Sequence, residues 1–376
     1  MVNKLPAVFF IALFTLLSPV NSIAANLLVT AVRDSGGDLK MISWDVASRE
    51  RVTRLSDALA GSVSAISTAP LYQSYGSRRQ RMATAVRDSR DNLKIIIWDT
   101  SEDGRIFRLG SASAGRVSAI SATAYSKNHL VTAVRDSAGN LKIILWQISD
   151  DGAVTRLGDA SAGAVSLVSA DFVGSGLPLR LITAVRDSVG NLKIISWNIG
   201  LDGRISRRSD ISAGAVSEIS AFGLGETLFV TAVRESHGNL KVIVWNLDPD
   251  SGRLTRLGDA SAGAATKISA FGLNGPNFAT AVRTVRGNLK VIAWHFDLPT
   301  GKVRRLADAT AGGVSLISGK SIMNDRFQTA VRDSGGNLKI ITWTFIPTPG
   351  REAIRRQGDG AAGAVSLIAT ESFIFF

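Results

Sequence analysis

The chain has 376 residues, a formal net charge of +12 and no cysteine, which excludes disulfides, zinc–cysteine centres and thiol nucleophiles. Its three histidines, His129, His237 and His295, are scattered and offer no metal-ligand spacing, so neither a metal nor a cofactor is expected. The length exceeds what one hydrophobic core usually serves, unless the chain is an array of similar units.

The first residues have the form of an export signal. Lys4 supplies a short basic start, Ala7 to Leu17 is apolar apart from Thr15, and SPVNSIAA brings small residues suited to cleavage after Ala24 or Ala25. An apolar run of this length falls well short of the roughly 20 residues that span a bilayer. Residues 1–25 are therefore expected to be a secretory signal peptide. Residues 26–376 are expected to form a single domain, secreted or periplasmic, without stable membrane insertion.

From residue 26 onward one segment recurs, written TAVRDSVGNLKIISW in its copy at 183–197. Its arginines are Arg33, Arg87, Arg135, Arg186, Arg234, Arg283 and Arg332, spaced by 54, 48, 51, 48, 49 and 49 residues. Every tryptophan of the chain falls at the same place in the unit: Trp44, Trp98, Trp146, Trp197, Trp245, Trp294 and Trp343. Within a unit, four short pieces rich in Val, Ile and Thr alternate with joints of Gly, Asn, Asp and Ser. In the fourth unit these are AVSLVS, LITAVR, LKIISW and RISRR, with DSVGN and SDISAG among the joints. The Gly-Asn pairs of the DSxGN turns suit the positive backbone angles of tight hairpins. No segment keeps a helical period.

Four antiparallel strands repeated seven times at about 50 residues predict an all-β fold, a seven-bladed β-propeller of four-stranded blades. The segment that opens the mature chain lacks its inner strand. AVSLIATESF at the C-terminus is an inner strand without successors. Pairing the two would complete a blade and remove an open sheet edge. In strand layout the unit resembles WD40 blades, but the Gly-His opening is missing and Trp-Asp occurs only at Trp44-Asp45 and Trp98-Asp99.

The tryptophans are expected to fill the space between sheets. The charged positions allow two readings. Each unit repeats the TAVR arginine, a lysine (Lys40, Lys94, Lys142, Lys193, Lys241, Lys290, Lys339) and an outer-strand arginine (Arg54, Arg108, Arg156, Arg207, Arg256, Arg305, Arg356). Acids follow the first arginine as Asp34, Asp88, Asp136, Asp187, Glu235 and Asp333, and a second set comprises Asp57, Asp159, Asp210, Asp259, Asp308 and Asp359. Twenty-one cations against twelve acids account for nine of the +12, so basicity belongs to the repeat. The set could be a structural fastening, because partly buried charges are normally paired. Alternatively, its surplus could form shallow pockets for anionic or polyhydroxyl groups on the DSxGN/GDASAG face. The candidate binding residues are the seven TAVR arginines with the six acids that follow them.

Glu218 and Lys267 interrupt an otherwise apolar or small inner-strand position and are the candidates for a channel mouth. The longest loop, 71–82, is basic and holds Tyr72 and Tyr75. No Ser/His/Asp set, carboxylate pair or metal cluster is evident, so the sequence favours an exported, non-catalytic binding protein. Glycans or acidic polymers are its best-fitting partners. The layout looks like the seven-bladed propeller lectins. A scaffold for other exported proteins is the alternative, with a channel-mouth hydrolase or lyase behind it. Export and the lack of a reading motif argue against nucleic acid.

Overall fold

The computed structural model describes residues 26–46, 51–72, 77, 79–323 and 325–374. The expected signal peptide lies outside the described residues, as do residues 73–76 and 78 of the long loop, Tyr75 among them.

The described residues form twenty-one strands, in a repeating order of two short ones and one long one. The first hairpin is β1 (Asn26–Asp34) and β2 (Asp38–Asp45), followed by the long β3 (Thr53–Leu71). Next come β4 (Arg79–Asp88), β5 (Asn92–Ser101) and the long β6 (Ile106–Ala124). The pattern continues through β7 (His129–Asp136), β8 (Asn140–Ile148), β9 (Val154–Val173), β10 (Leu179–Asp187), β11 (Asn191–Ile199) and β12 (Ile205–Gly223). It runs on through β13 (Leu228–Glu235), β14 (Asn239–Leu247), β15 (Leu254–Gly272), β16 (Asn277–Thr284), β17 (Asn288–Asp297) and β18 (Lys302–Met323). It ends with β19 (Arg326–Asp333), β20 (Asn337–Ile346) and β21 (Ala353–Ile374).

Each strand pairs antiparallel with the next. The long strands serve two hairpins: in β12, Ile205–Ala215 pairs back onto β11, and Val216–Gly223 pairs forward onto β13. Here the structure corrects the expectation of four separate pieces. The SxAG segment is not a loop but extended chain, so the outer strand of one unit runs straight into the inner strand of the next. The residues explain this: Ala and Ser carry no turn geometry, and Gly163 and Gly214 are not among the positive-φ glycines, which mark the true turns.

The circuit closes. β21 pairs with β1 along its length, with Ala31 opposite Ala369, Arg33 opposite Leu367 and Leu27 opposite Phe373. The fold is thus a closed, all-β antiparallel ring in which the C-terminal strand supplies what the N-terminal hairpin lacks, so that β1 is paired on both sides.

Apolar clusters lie between consecutive units. In one, Ile182, Leu192 and Ile194 of β10–β11 meet Val233, Ile243 and Trp245 of β13–β14. The seven tryptophans are among the largest fully buried side chains. Each indole donates to a buried threonine on the neighbouring strand, as Trp197 Nε1 does to Thr183 Oγ1 at 3.0 Å. The same bond recurs at Trp44, Trp98, Trp146, Trp245, Trp294 and Trp343. Burying an indole removes about 150–250 Å² from water, a gross upper bound of about 4–6 kcal/mol apiece. These tryptophans are core. Among the described residues no helix is long and apolar enough to cross a membrane.

Candidate functional site

The DSxGN turns build the first part of the site. In the fourth, Asp187 Oδ1 accepts the N–H groups of Val189 (3.1 Å) and Asn191 (2.8 Å), while Gly190 takes φ +93°. Asp34, Asp88, Asp136 and Asp333 likewise accept backbone N–H groups of their own turns. In the fifth turn Glu235 instead faces the Asn239 amide and Lys241. In the sixth, Thr284 Oγ1 accepts the Asn288 N–H.

The arginine beside each turn reaches into the next unit. Arg186 Nε donates to the Val216 carbonyl at 2.7 Å and Nη1 to Ser166 Oγ at 3.1 Å, while the Gly190 carbonyl accepts the Val216 N–H at 3.0 Å. Both backbone groups of that valine, the first residue of the next inner segment, are therefore held by the preceding turn. Arg33, Arg135, Arg234, Arg283 and Arg332 hold Val63, Val165, Ala265, Val314 and Val365 in the same way. Arg87 is the exception: its Nε donates to Ser64 and lies 3.4 Å from the Asp91 carboxylate. The arginines proposed from sequence as ligand groups thus have structural bonds of their own.

On the outer half of the unit, one carboxylate joins the repeated lysine and arginine. Lys193 lies 2.9 Å from Asp210, which also pairs with Arg207. Burial works against the charge of Asp210, but Lys193 and Arg207 outweigh it and hold its pKa below the ordinary value. The same triad forms around Asp57, Asp159, Asp259, Asp308 and Asp359.

Turn, triad and SxAG segment together line small cavities that recur. One, of about 110 Å³, is bounded by Gly214, Glu235, Ser236, Lys241 and Arg256. Another, of about 220 Å³, is bounded by the matching Gly312, Asp333, Ser334, Lys339 and Arg356. A Cβ built on Gly214 or Gly312 meets nothing within 4 Å, so the floor of the groove is open there. The structure therefore brings the acids Glu235 and Asp333 from the proposed binding set together with lysines and outer arginines.

A larger cavity, about 440 Å³, lies on the ring's axis. It is lined by the far ends of the inner segments, two residues past a repeated serine that is Ala369 in the last segment. At that level stand Ala69, Thr123, Asp171, Phe222, Phe271, Lys320 and Glu371, with Tyr72 at the rim. Lys320 and Glu371 are 3.0 Å apart, and Thr68 donates to Glu371 at 3.2 Å. Burial raises the Glu371 pKa against the pull of Lys320. Burial opposes the charge of Lys320, but Glu371 outweighs it and the lysine stays protonated. Asp171 accepts from Thr123 at 2.7 Å and from the Gly223 N–H at 3.0 Å.

Glu218 and Lys267 do not line this cavity. They form an ion pair at 2.6 Å, two residues before Ser220 and Ser269 and so toward the opposite end of the inner segments. The channel-mouth candidates and the axial cavity thus lie at different ends of the inner segments. Asp171, Lys320 and Glu371 lie far apart in the chain, and only alignment of the inner segments on Ser169, Ser318 and Ala369, two residues earlier in each, would have exposed them. Among the described residues no group of three or more His, Asp or Glu could hold a metal ion.

No family model matches the chain, and no curated protein matches it. Among solved structures it is similar to a protein from Bacteroides fragilis provisionally described as a 6-phosphogluconolactonase, at 12% identity and TM-score 0.65, over 94% of this chain and 99% of that one. It is also similar to Aleuria aurantia lectin bound to α-methyl-L-fucoside, at 15% identity and TM-score 0.54, over 81% of this chain and 97% of the lectin. Another structure of that lectin is described as a six-bladed β-propeller with a fucose recognition mode; it has 15% identity and TM-score 0.52. At these identities the likeness shows the fold alone, a closed ring of the propeller kind.

Proposed function

We propose that the chain is an exported, seven-bladed propeller of four-stranded blades that binds glycans or other acidic, polyhydroxylated polymers without catalysis. The observation that carries this reading is the recurrence of one groove, with its carboxylate, serine, lysine and arginine, at Glu235–Arg256 and at Asp333–Arg356. Carboxylates accept from sugar hydroxyls, and the cations donate to hydroxyls or to acidic substituents. Repeated weak sites on a rigid ring raise avidity without any one being tight. The fucose-binding propeller among the structural neighbours supports a carbohydrate as the kind of partner.

A glycan array with neutral and acidic polysaccharides, read at two salt concentrations, tests this. Binding that weakens in Asp333→Ala and Lys339→Ala supports it. Silence on every polysaccharide overturns it.

A second reading has its own observation: two carboxylates and a lysine face the axial cavity, and a neighbour is provisionally described as a lactonase. Hydrolysis of lactones by the wild-type protein that is lost in Glu371→Gln would favour it.

A further inference from the structure

The second unit breaks the charge rule of the other six, and from this we infer a subsite there for one oxyanion group, a sulfate, phosphate or carboxylate. The inference deepens the proposal above, on which it rests for the polymer that carries the group.

In six units an aspartate stands opposite the isoleucine of the second hairpin strand: Asp57 faces Ile42, Asp159 faces Ile144 and Asp210 faces Ile195, and so on around the ring. That aspartate is the carboxylate that the repeated lysine and arginine share. In the second unit Ser111 occupies the same register position, opposite Ile96. Arg108 reaches Ser111 Oγ at 2.7 Å, and Lys94 has no carboxylate partner among the described residues. The fold therefore holds a lysine and an arginine in the geometry that grips a carboxylate six times over, and here leaves the carboxylate out.

Two further departures fall in the same unit. Arg116 stands exposed opposite Asn92, where the other units have Ser62, Ala164, Ala215, Ala264, Gly313 or Ala364. Arg87, which would otherwise fasten Val117, is drawn to Ser64 and Asp91, with Asp91 at φ +63° in place of a turn glycine. Replacing Asp by Ser and a small residue by Arg leaves the unit two charges more positive than the repeat. The extra Arg90 offsets Asp91.

An incoming oxyanion in place of the missing carboxylate would accept from Lys94 Nζ, from the Arg108 guanidinium and from the Ser111 hydroxyl. Charge-assisted bonds of this kind are the stronger class. Solvent exposure keeps a single group weak, and a polymer bound across several grooves multiplies its effect.

The test uses Ser111→Asp, which restores the residue that six units already fold around. Val189→Asp, at an exposed turn position, lowers the net charge equally elsewhere on the ring and serves as control. Asp159→Ser creates the same vacancy in the third unit. Calorimetry with a heparin octasaccharide should show affinity falling about tenfold in Ser111→Asp, falling less than about twofold in Val189→Asp and rising in Asp159→Ser. Equal losses in Ser111→Asp and Val189→Asp would mean that only net charge matters and would overturn the subsite. Titration of inorganic sulfate, read by NMR at the Arg108 side chain, separates the two proposals. If sulfate binds wild type but not Ser111→Asp while no glycan binds, the subsite stands and the glycan reading falls. If glycans bind and neither the Arg108 signal nor Ser111→Asp responds, the subsite falls alone.

Discussion

Replacing Arg186 by methionine asks whether the repeated arginine fastens units or waits for a ligand. The substitution keeps an unbranched stem and removes the two bonds to the Val216 carbonyl and to Ser166. A hydrogen bond from a charged donor contributes about 1.5–3 kcal/mol, and water will partly replace the lost partners at this half-buried site. The expected loss is therefore about 2–4 kcal/mol. For a cooperative unit of this size, unfolding entropy near 2.1 cal/mol/K per residue amounts to about 0.7 kcal/mol/K, so Tm should fall by about 3–6 °C. Calorimetry and urea unfolding read this directly, with Ser166→Ala as a milder companion that loses the Nη1 bond and the long 3.4 Å bond from its hydroxyl to the Arg186 carbonyl but keeps the bond to Val216. A Tm within about 1 °C of wild type, together with lost glycan binding, would refute the fastening argument and return Arg186 to the ligand set.

Two further perturbations probe the same framework. Trp197→Phe should cost about 2–4 kcal/mol, because it opens a gap between units and strands the buried Thr183 hydroxyl; an unchanged urea midpoint would show that the indole bond carries nothing. Acid should loosen the outer halves of the units. The pKa of Asp57 is lowered by Lys40 and Arg54, and those of Asp159, Asp210 and Asp359 are lowered by their lysine–arginine partners against burial. A depressed carboxylate contributes stability above its unfolded value near 3.9 and loses it as pH falls through the lower folded value. These groups are about a third exposed, so each contribution is small. The predicted result is a gradual, salt-sensitive loss of Tm from about pH 4 downward; a Tm flat to pH 2 would contradict it.

The repeat, its hairpin turns and the pairing of the two ends could be read from the chain because each depends on local patterns. Gly139, Gly190, Gly238, Gly287 and Gly336 do take positive φ in the turns the sequence marks. Val365 to Ala369 do lie against β1, and the pairing extends further, to Ile374 opposite Asn26. The tryptophans are core, as large aromatics between sheets should be. What misled was composition at the SxAG segment: a run of small residues suggests a joint, yet without positive φ the chain stays extended from one unit into the next. The axial charges escaped for another reason. Asp171, Lys320 and Glu371 share a level only through closure of the ring, whereas Glu218 and Lys267 drew attention as a charged pair in adjacent units. The recurring groove was only half visible, because the lysine and outer arginine that line it come from strands that the sequence treats separately from the turn.

The ring that sets turns, grooves and triads in equivalent positions requires the chain to close on itself through β1 and β21. The absence of native cysteine allows a direct measurement: place cysteines at Ala31 and Ala369, which face each other across that pairing, and oxidise under mild conditions. Closure predicts a near-complete intramolecular disulfide, seen as a faster band on a non-reducing gel and as a higher Tm that reductant removes. A monomer that stays reduced, or a disulfide that forms only between molecules, would contradict it.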